Sequence, residues 1–254
     1  MDRLAIQGVS RRFGGLKAVD DCSFTVSPGS LTGLIGPNGA GKSTLFNLIS
    51  GLYKPDSGSI RLDGQELTSL APDEIAEIGV GRTFQTPRSF GTLSCLENLL
   101  ASVSSRGEQL VPSIFGGYTK QEKKATARAE EYLDLVGLGA RAEVPANELS
   151  GGELRMLEVA RQLMREPKIL LLDEPTAGVT PTLQVRLSET LQDLHAHGLT
   201  VIVVEHNLGF LLNLVKRVVV MVGGTVLTQG DPEAIRSDPE VVNAYLGRRD
   251  GDAA

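Results

Sequence analysis

Nine consecutive residues, Gly36-Pro37-Asn38-Gly39-Ala40-Gly41-Lys42-Ser43-Thr44, have the spacing of a phosphate cradle: a glycine, four residues, then Gly-Lys-Ser/Thr. Glycines let such a loop curl until successive backbone N–H groups point at phosphate oxygens. A helix behind the loop adds the partial positive charge of its N-terminus. Lys42 can reach the β- and γ-phosphates, and the Ser43 hydroxyl can bind Mg²⁺. The run Ile169-Leu170-Leu171-Leu172-Asp173-Glu174 supplies the complementary acids. Asp173 can hold Mg²⁺ opposite Ser43, and Glu174 can polarise a water for in-line attack on a γ-phosphate. Two acids in that place can also simply cap a loop. The chemistry indicated is hydrolysis of a nucleoside triphosphate.

Other residues are candidates by position. Leu149-Ser150-Gly151-Gly152-Glu153 contains a capping box, Ser150 with Glu153, ahead of an amphipathic helix. Capping does not need two adjacent glycines, which cost about 1 kcal/mol each inside a first turn. They do permit a phosphate to approach the backbone, so this reads as a second anion site. Two phosphate sites far apart in one chain suggest two copies sharing nucleotides. His206 follows an apolar run, Val201–Val204, and is placed for a γ-phosphate contact or for a structural role. Gln85 ends the run Val80–Phe84 and can complete a Mg²⁺ or water shell. Phe13, in Arg12-Phe13-Gly14-Gly15, is either a core side chain or a platform for adenine, worth ~1–3 kcal/mol by stacking.

These side chains need a scaffold, and the hydrophobic pattern predicts one. Leu31–Ile35, Ile169–Leu172 and Val201–Val204 are continuous apolar runs, as expected of parallel strands buried on both faces. Leu4–Val9 and Cys22–Val26 alternate, predicting a half-solvated antiparallel sheet. Ser59–Leu62 follows a turn, and Gly223-Gly224 joins Val218–Val222 to Thr225–Leu227 as a hairpin. The expected fold is α/β: a phosphate-loop nucleotidase core with an antiparallel β subdomain and an inserted helical subdomain. Residues 1–85 and 166–230 form the core and β subdomain, and 86–165 the helical part. Residues 231–254 hold short helices and a frayed tail. In the helical part, Leu93, Leu96, Leu100 and Val103 predict one buried face, and 104–118 a loop. Thr119 to Glu122 predict a capping box, with Ala125, Ala129, Tyr132, Leu133 and Val136 as the stripe behind it.

With 254 residues, 41% of them hydrophobic, the chain suits one large α/β domain or a core with a subdomain. A net charge of −6 argues against a nucleic-acid partner. Two cysteines, Cys22 and Cys95, provide no disulfide framework and fit a reducing, cytosolic setting. No apolar run approaches the ~20 residues that cross a bilayer. Any work at a membrane is expected to go through a partner.

Taken together, the loop at 36–44, Gln85, Leu149–Glu153, Asp173-Glu174 and His206 occur in the order of the ATP-binding cassette family, which the chain resembles along nearly its whole length. Phe13 matches that family's adenine-stacking aromatic by position. The resemblance implies an ATPase using Mg²⁺, with Ser43, Gln85 and Asp173 around the metal, Glu174 as general base and His206 as γ-phosphate sensor. It implies that two cassettes pack head to tail, Ser150–Glu153 of one closing on ATP held by the other, in a homo- or heterodimer. Gln85 would link nucleotide to transmembrane permease subunits, placing the chain peripherally on the cytoplasmic face of a bacterial inner membrane, with a periplasmic solute-binding protein as an indirect partner. Phe13–Val19, Arg82-Thr83-Phe84-Gln85, Glu97–Leu100 and Pro239–Gly247 look like the ATPases of branched-chain amino-acid importers. Importers of urea or short amides and the lipopolysaccharide-transport ATPase share much of this, and a soluble cassette such as one for iron–sulfur assembly is the other class. Glu153 stands where many members have Gln, and Thr180 where Asp or Asn is common.

Overall fold

Leu31–Ile35, Ile169–Asp173 and Thr200–Val204 are buried at every position. Each lies inside a sheet and has no solvent face, so apolar runs mark them instead of alternation. The computed structural model describes residues 2–84, 86–103 and 120–246. Gln85, the loop expected at 104–118, the Thr119 cap and the tail expected from 248 lie outside the described residues or on their edge.

The chain opens with β1 (Leu4–Phe13) and β2 (Leu16–Val26), then β3 (Leu31–Ile35) and α1 (Lys42–Ile49). There follow β4 (Ser57–Leu62), β5 (Gln65–Glu66), α2 (Pro72–Ile78) and β6 (Val80–Arg82). Helices α3 (Cys95–Leu100), α4 (Lys120–Leu135) and α5 (Gly151–Leu163) precede β7 (Ile169–Asp173). Next come α6 (Pro181–Ala196), β8 (Thr200–Val204), α7 (Leu208–Leu214), β9 (Arg217–Val222) and β10 (Thr225–Gly230). Helices α8 (Pro232–Ser237) and α9 (Pro239–Leu246) finish the described chain.

The first of two compact units comprises Met1–Arg82, Lys168–Pro175 and Gln192–Ala254. It holds an antiparallel sheet in the order β2-β1-β4-β5 and a second sheet in the order β10-β9-β3-β8-β7-β6. The second sheet is parallel from β9 to β6, with β10 antiparallel at its edge. The register sets Leu34 of β3 and Asp173 of β7 on either side of Val204. The phosphate loop and the two acids therefore leave the sheet at the same end, where open α/β sheets bind ligands. One hydrophobic cluster runs under both sheets, with Leu45, Phe46, Leu48 and Ile49 of α1 packed among Leu4, Ile6, Ile60, Leu171 and Ile202. β1 and β2 extend beyond the alternating segments read from sequence and meet at the Gly14-Gly15 turn. Strand β6 stops at Arg82, two residues short of the expected Phe84.

The second unit comprises Thr83–Pro167 and Thr176–Leu191. Helix α4 buries Ala129, Leu133 and Val136, with Ala125 and Tyr132 half-buried beside them. Gly137 ends the turn after it at φ +78°, the left-handed conformation that glycine adopts without a Cβ penalty. Helix α3 corrects the expected face of Leu93, Leu96, Leu100 and Val103. Its buried side chains are Cys95, Asn98 and Leu99. The reason is a capping box, Ser94 with Glu97, which starts the helix after Leu93. Asn98 is fully buried because its amide is fully employed. It donates to the carbonyls of Phe90, Leu93 and Ser94 at 2.9–3.1 Å and accepts from the Phe90 N–H at 2.9 Å.

Glu158 of α5 is the other buried polar side chain of note, 4% exposed. It accepts the Phe84 N–H at 2.9 Å. Burial pushes its carboxyl up to about 7, against that hydrogen bond and the charges of Arg161, Arg155 and Arg88. An acid whose pKa is raised on folding costs stability as pH climbs from the unfolded value, near 4.3, through the folded one. Glu158→Gln keeps the acceptor and removes the charge. Its melting temperature is expected to exceed that of the wild type at pH 8, by about 1–3 kcal/mol of stability, and to match it near pH 4.5; equal melting curves at both pH values would contradict this.

Candidate functional site

The loop between β3 and α1 can take its shape only with glycine at two positions. Gly36 has φ +153°, and a Cβ there would lie 2.0 Å from the Met221 carbonyl oxygen. Gly41 has φ +100°, and its Cβ would lie 2.3 Å from the Ala18 carbonyl oxygen. Backbone bonds tie the loop to the segments that carry those oxygens: Gly224 N–H donates to Ala40 O at 3.1 Å, and Asp20 N–H to Gly224 O at 2.9 Å. Helix α1 has Gly41 as its N-cap, with no side-chain cap and no acid in its first turn. Its first amides are thus left for an anion.

Lys42 is only 6% exposed. Its ammonium donates to the Gly36 carbonyl at 2.6 Å and the Pro37 carbonyl at 3.1 Å. Burial lowers its pKa, while Glu174 and Asp173 pull it back up. A cavity of about 200 Å³ opens here, lined by Asn38–Thr44 together with Glu174 and His206. One mouth thus holds the loop, the strand-end acid and the histidine.

Glu174 leaves β7 at φ +50°, a conformation costing a non-glycine residue about 1–3 kcal/mol. The structure holds it there with a bond from Glu174 N–H to Val204 O at 2.9 Å. Its carboxylate Oε1 lies 2.8 Å from His206 Nε2. The histidine is in turn held by Glu205, whose carboxylate accepts the His206 N–H at 3.2 Å. Asp173 is buried and pairs with Arg82 at 3.5 Å. Burial raises its carboxyl and Glu174 adds to the rise, while Arg82 and Lys42 oppose it. A carboxylate in that state, with the Ser43 hydroxyl on the loop lining the cavity, offers the hard oxygen donors that Mg²⁺ takes. These residues fit the metal.

Phe13 is 40% exposed, which removes the core alternative. Its ring is held from two sides, edge-on by Tyr53 at 5.2 Å and by the Arg11 guanidinium at 5.1 Å. In the second unit, Ser150 caps α5: its Oγ accepts the Glu153 N–H at 3.3 Å, and its N–H donates to Glu153 Oε2 at 2.8 Å. Glu153 also accepts from Arg141 Nε at 3.3 Å. Its carboxyl is held low by Ser150 and Arg141, although burial works the other way. The two glycines differ. A Cβ on Gly152 would meet Leu183 Cδ1 at 2.9 Å, so packing alone explains that glycine, whereas Gly151 has nothing within 4 Å. Ser150 and Gly151 lie at the exposed helix start. Sequence reasoning missed Arg82 and Glu205. The available signal for Arg82 was a charge at the end of a strand otherwise made of Val80 and Gly81.

The ABC transporter family matches residues 19–177, and residues 225–251 match the family described as branched-chain amino acid ATP-binding cassette transporter. This chain is an ATPase of the ABC transporter family. The cassette is 39% identical over 251 residues to the high-affinity branched-chain amino acid transport ATP-binding protein LivG of Escherichia coli (strain K12), covering 96% of this chain and 97% of the relative. A crystal structure of the ADP conformation of an ATP-binding cassette of an ABC transporter superposes with TM-score 0.85 at 36% identity, over 97% of this chain and 99% of that one. The dimeric, post-hydrolysis state of another ATP-binding cassette, bound to ADP and Pi, superposes with TM-score 0.75 at 26% identity, over 90% and 98%.

An exposed, braced ring at position 13 is expected to stack on a base. Phe13→Ala should weaken ATP about tenfold, in line with ~1–3 kcal/mol of stacking, and leave inorganic triphosphate binding to the cassette unchanged. Equal loss for both ligands in calorimetric titrations would contradict this.

Proposed function

We propose that this cassette is the ATP-hydrolysing subunit of an importer of branched-chain amino acids. The observation that carries the hydrolytic part is the single cavity bordered by the phosphate loop and by the Glu174–His206 pair. Gly36–Thr44 receives the phosphates, Lys42 neutralises the β- and γ-groups, and Phe13 takes the adenine. Ser43, Asp173 and Gln85 would hold Mg²⁺, which when bound would neutralise charge developing on the phosphate oxygens. Glu174 accepts the proton of the attacking water, and His206 senses the γ-phosphate from the same carboxylate. The strained turn at Glu174 supports this role, because such backbone persists where function needs it.

Ser150–Glu153 act in trans on ATP bound by a second cassette, identical or closely related to this one. The support is an exposed, well-capped helix start with one glycine that packing does not require, together with a solved relative described as dimeric with ADP and Pi. Among the described residues no helix is long and apolar enough to cross a membrane. The cassette works from the cytoplasmic face of the inner membrane, held there by permease subunits, and a periplasmic solute-binding protein supplies them indirectly. The cargo assignment rests on the C-terminal match over residues 225–251 and on the transport named for the relatives.

The test is uptake of radiolabelled leucine, isoleucine, valine, urea and acetamide in cells lacking this chain. Loss is expected for the three amino acids alone, with rescue by the wild type and less than about 5% rescue by Glu174→Gln, as expected for removal of a general base worth 10²–10⁴-fold. Unchanged amino-acid uptake, or full rescue by Glu174→Gln, would overturn the assignment.

A further inference from the structure

Arg82 is a buried guanidinium, 8% exposed, at the last residue of β6. Its Nη1 donates to Asn47 Oδ1 and to Ser50 Oγ, both at 2.7 Å. Its Nη2 faces Asp173 Oδ2 at 3.5 Å. The plane lies over Phe46, with 5.8 Å between the guanidinium carbon and the ring centroid. Asn47 belongs to α1 and Ser50 caps its end. Helix α1 begins at Lys42 and carries Ser43 in its first turn. One guanidinium therefore bridges the strand-end carboxylate to the helix that bears the phosphate-loop hydroxyl.

The energetics argue against an incidental contact. A guanidinium keeps its charge in proteins; burial lowers the pKa of Arg82, and Asp173 pulls it back up. Burying such a charge costs several kcal/mol unless a partner and hydrogen bonds offset it. Asp173 supplies the partner; Asn47 and Ser50 supply the bonds. Viewed from Asp173, Arg82 is the nearest compensating charge for a carboxylate that burial disfavours. Lysine in its place would deliver a point charge without the planar fork that reaches three acceptors at once.

We infer that Arg82 is the positioning residue of the metal site: paired with Asp173 and bonded to Asn47 and Ser50, it fixes the Asp173 carboxyl relative to Ser43 through α1. This rests on the reading of Asp173 as a Mg²⁺ ligand. Residues behind a ligand in this way typically account for 10–100-fold in metal affinity.

The test is calorimetric binding of a non-hydrolysable ATP analogue to the purified cassette, with Mg²⁺ and with EDTA. The ratio of the two dissociation constants isolates the metal's contribution. In Arg82→Gln the ratio is expected to fall about tenfold, with the EDTA value unchanged, and Arg82→Lys should recover part of the loss. Asn47→Ala, which loosens the anchor and keeps the charge, should fall between wild type and Arg82→Gln, and it carries the test if Arg82→Gln does not fold. An unchanged ratio in these variants, or equal weakening with and without metal, would make Arg82 a structural staple only. Asp173→Asn is the control: if it leaves the ratio intact, the reading of Asp173 as a ligand has failed and the role of Arg82 falls with it; if it lowers the ratio while Arg82→Gln does not, the role of Arg82 alone has failed.

Discussion

The absence of two side-chain carbons sets the geometry of this cassette. At Gly36 and Gly41 a Cβ would sit within 2.3 Å of a carbonyl oxygen that the sheet and hairpin hold in place. Moving those oxygens would break the contacts of β2 and of the β9–β10 turn with the loop. The loop thus curls against a backbone wall, and the rest of the site is arranged around it. The register β3–β8–β7 brings Asp173 to the same end of the sheet, and Glu174 turns off the strand into the cavity at the cost of a left-handed backbone.

Charge is managed around this wall by pairing. Lys42, Asp173 and Arg82 are all buried, and each is opposed by at least one of the others. Burial alone raises the Asp173 carboxyl and lowers the Lys42 ammonium, and the neighbouring opposite charges act against both shifts. Together they form a low-dielectric patch in which an added phosphate or cation meets preorganised partners, which is where electrostatic stabilisation is largest. In the second unit burial outweighs such help at Glu158: its carboxyl rises to about 7 against the Phe84 N–H and the charges of Arg161, Arg155 and Arg88.

Much of this was legible in the sequence because local physics determined it. The phosphate loop, the capping box at Ser150 and the fully buried strands each follow from a short segment whose spacing has one good structural solution. The ABC resemblance and the α/β fold followed from those segments in order. What was not legible depended on partners far along the chain. Arg82 and Asp173 are 91 positions apart, and nothing in either segment announces the pair. Asn98 draws no reading of its own, yet its amide organises the turn before α3, and with the Ser94–Glu97 cap the buried face falls on Cys95, Asn98 and Leu99. Gly152 reads in the sequence as a phosphate contact, while Leu183 gives it a packing reason. The strain at Glu174 is likewise invisible until Val204 accepts its N–H.

The central claim is that a glycine-enforced backbone cradle is what binds the nucleotide. Equilibrium binding of MgATP to Gly41→Ala, beside Gly91→Ala as a control whose Cβ would make only an ordinary contact with Asn147 at 3.5 Å, tests this most directly. With circular dichroism confirming the fold of both, Gly41→Ala is expected to bind more than about 100-fold more weakly than the wild type, as loss of several preorganised charge-assisted bonds requires, and Gly91→Ala to bind as the wild type does. Binding by folded Gly41→Ala within threefold of the wild type would contradict the account.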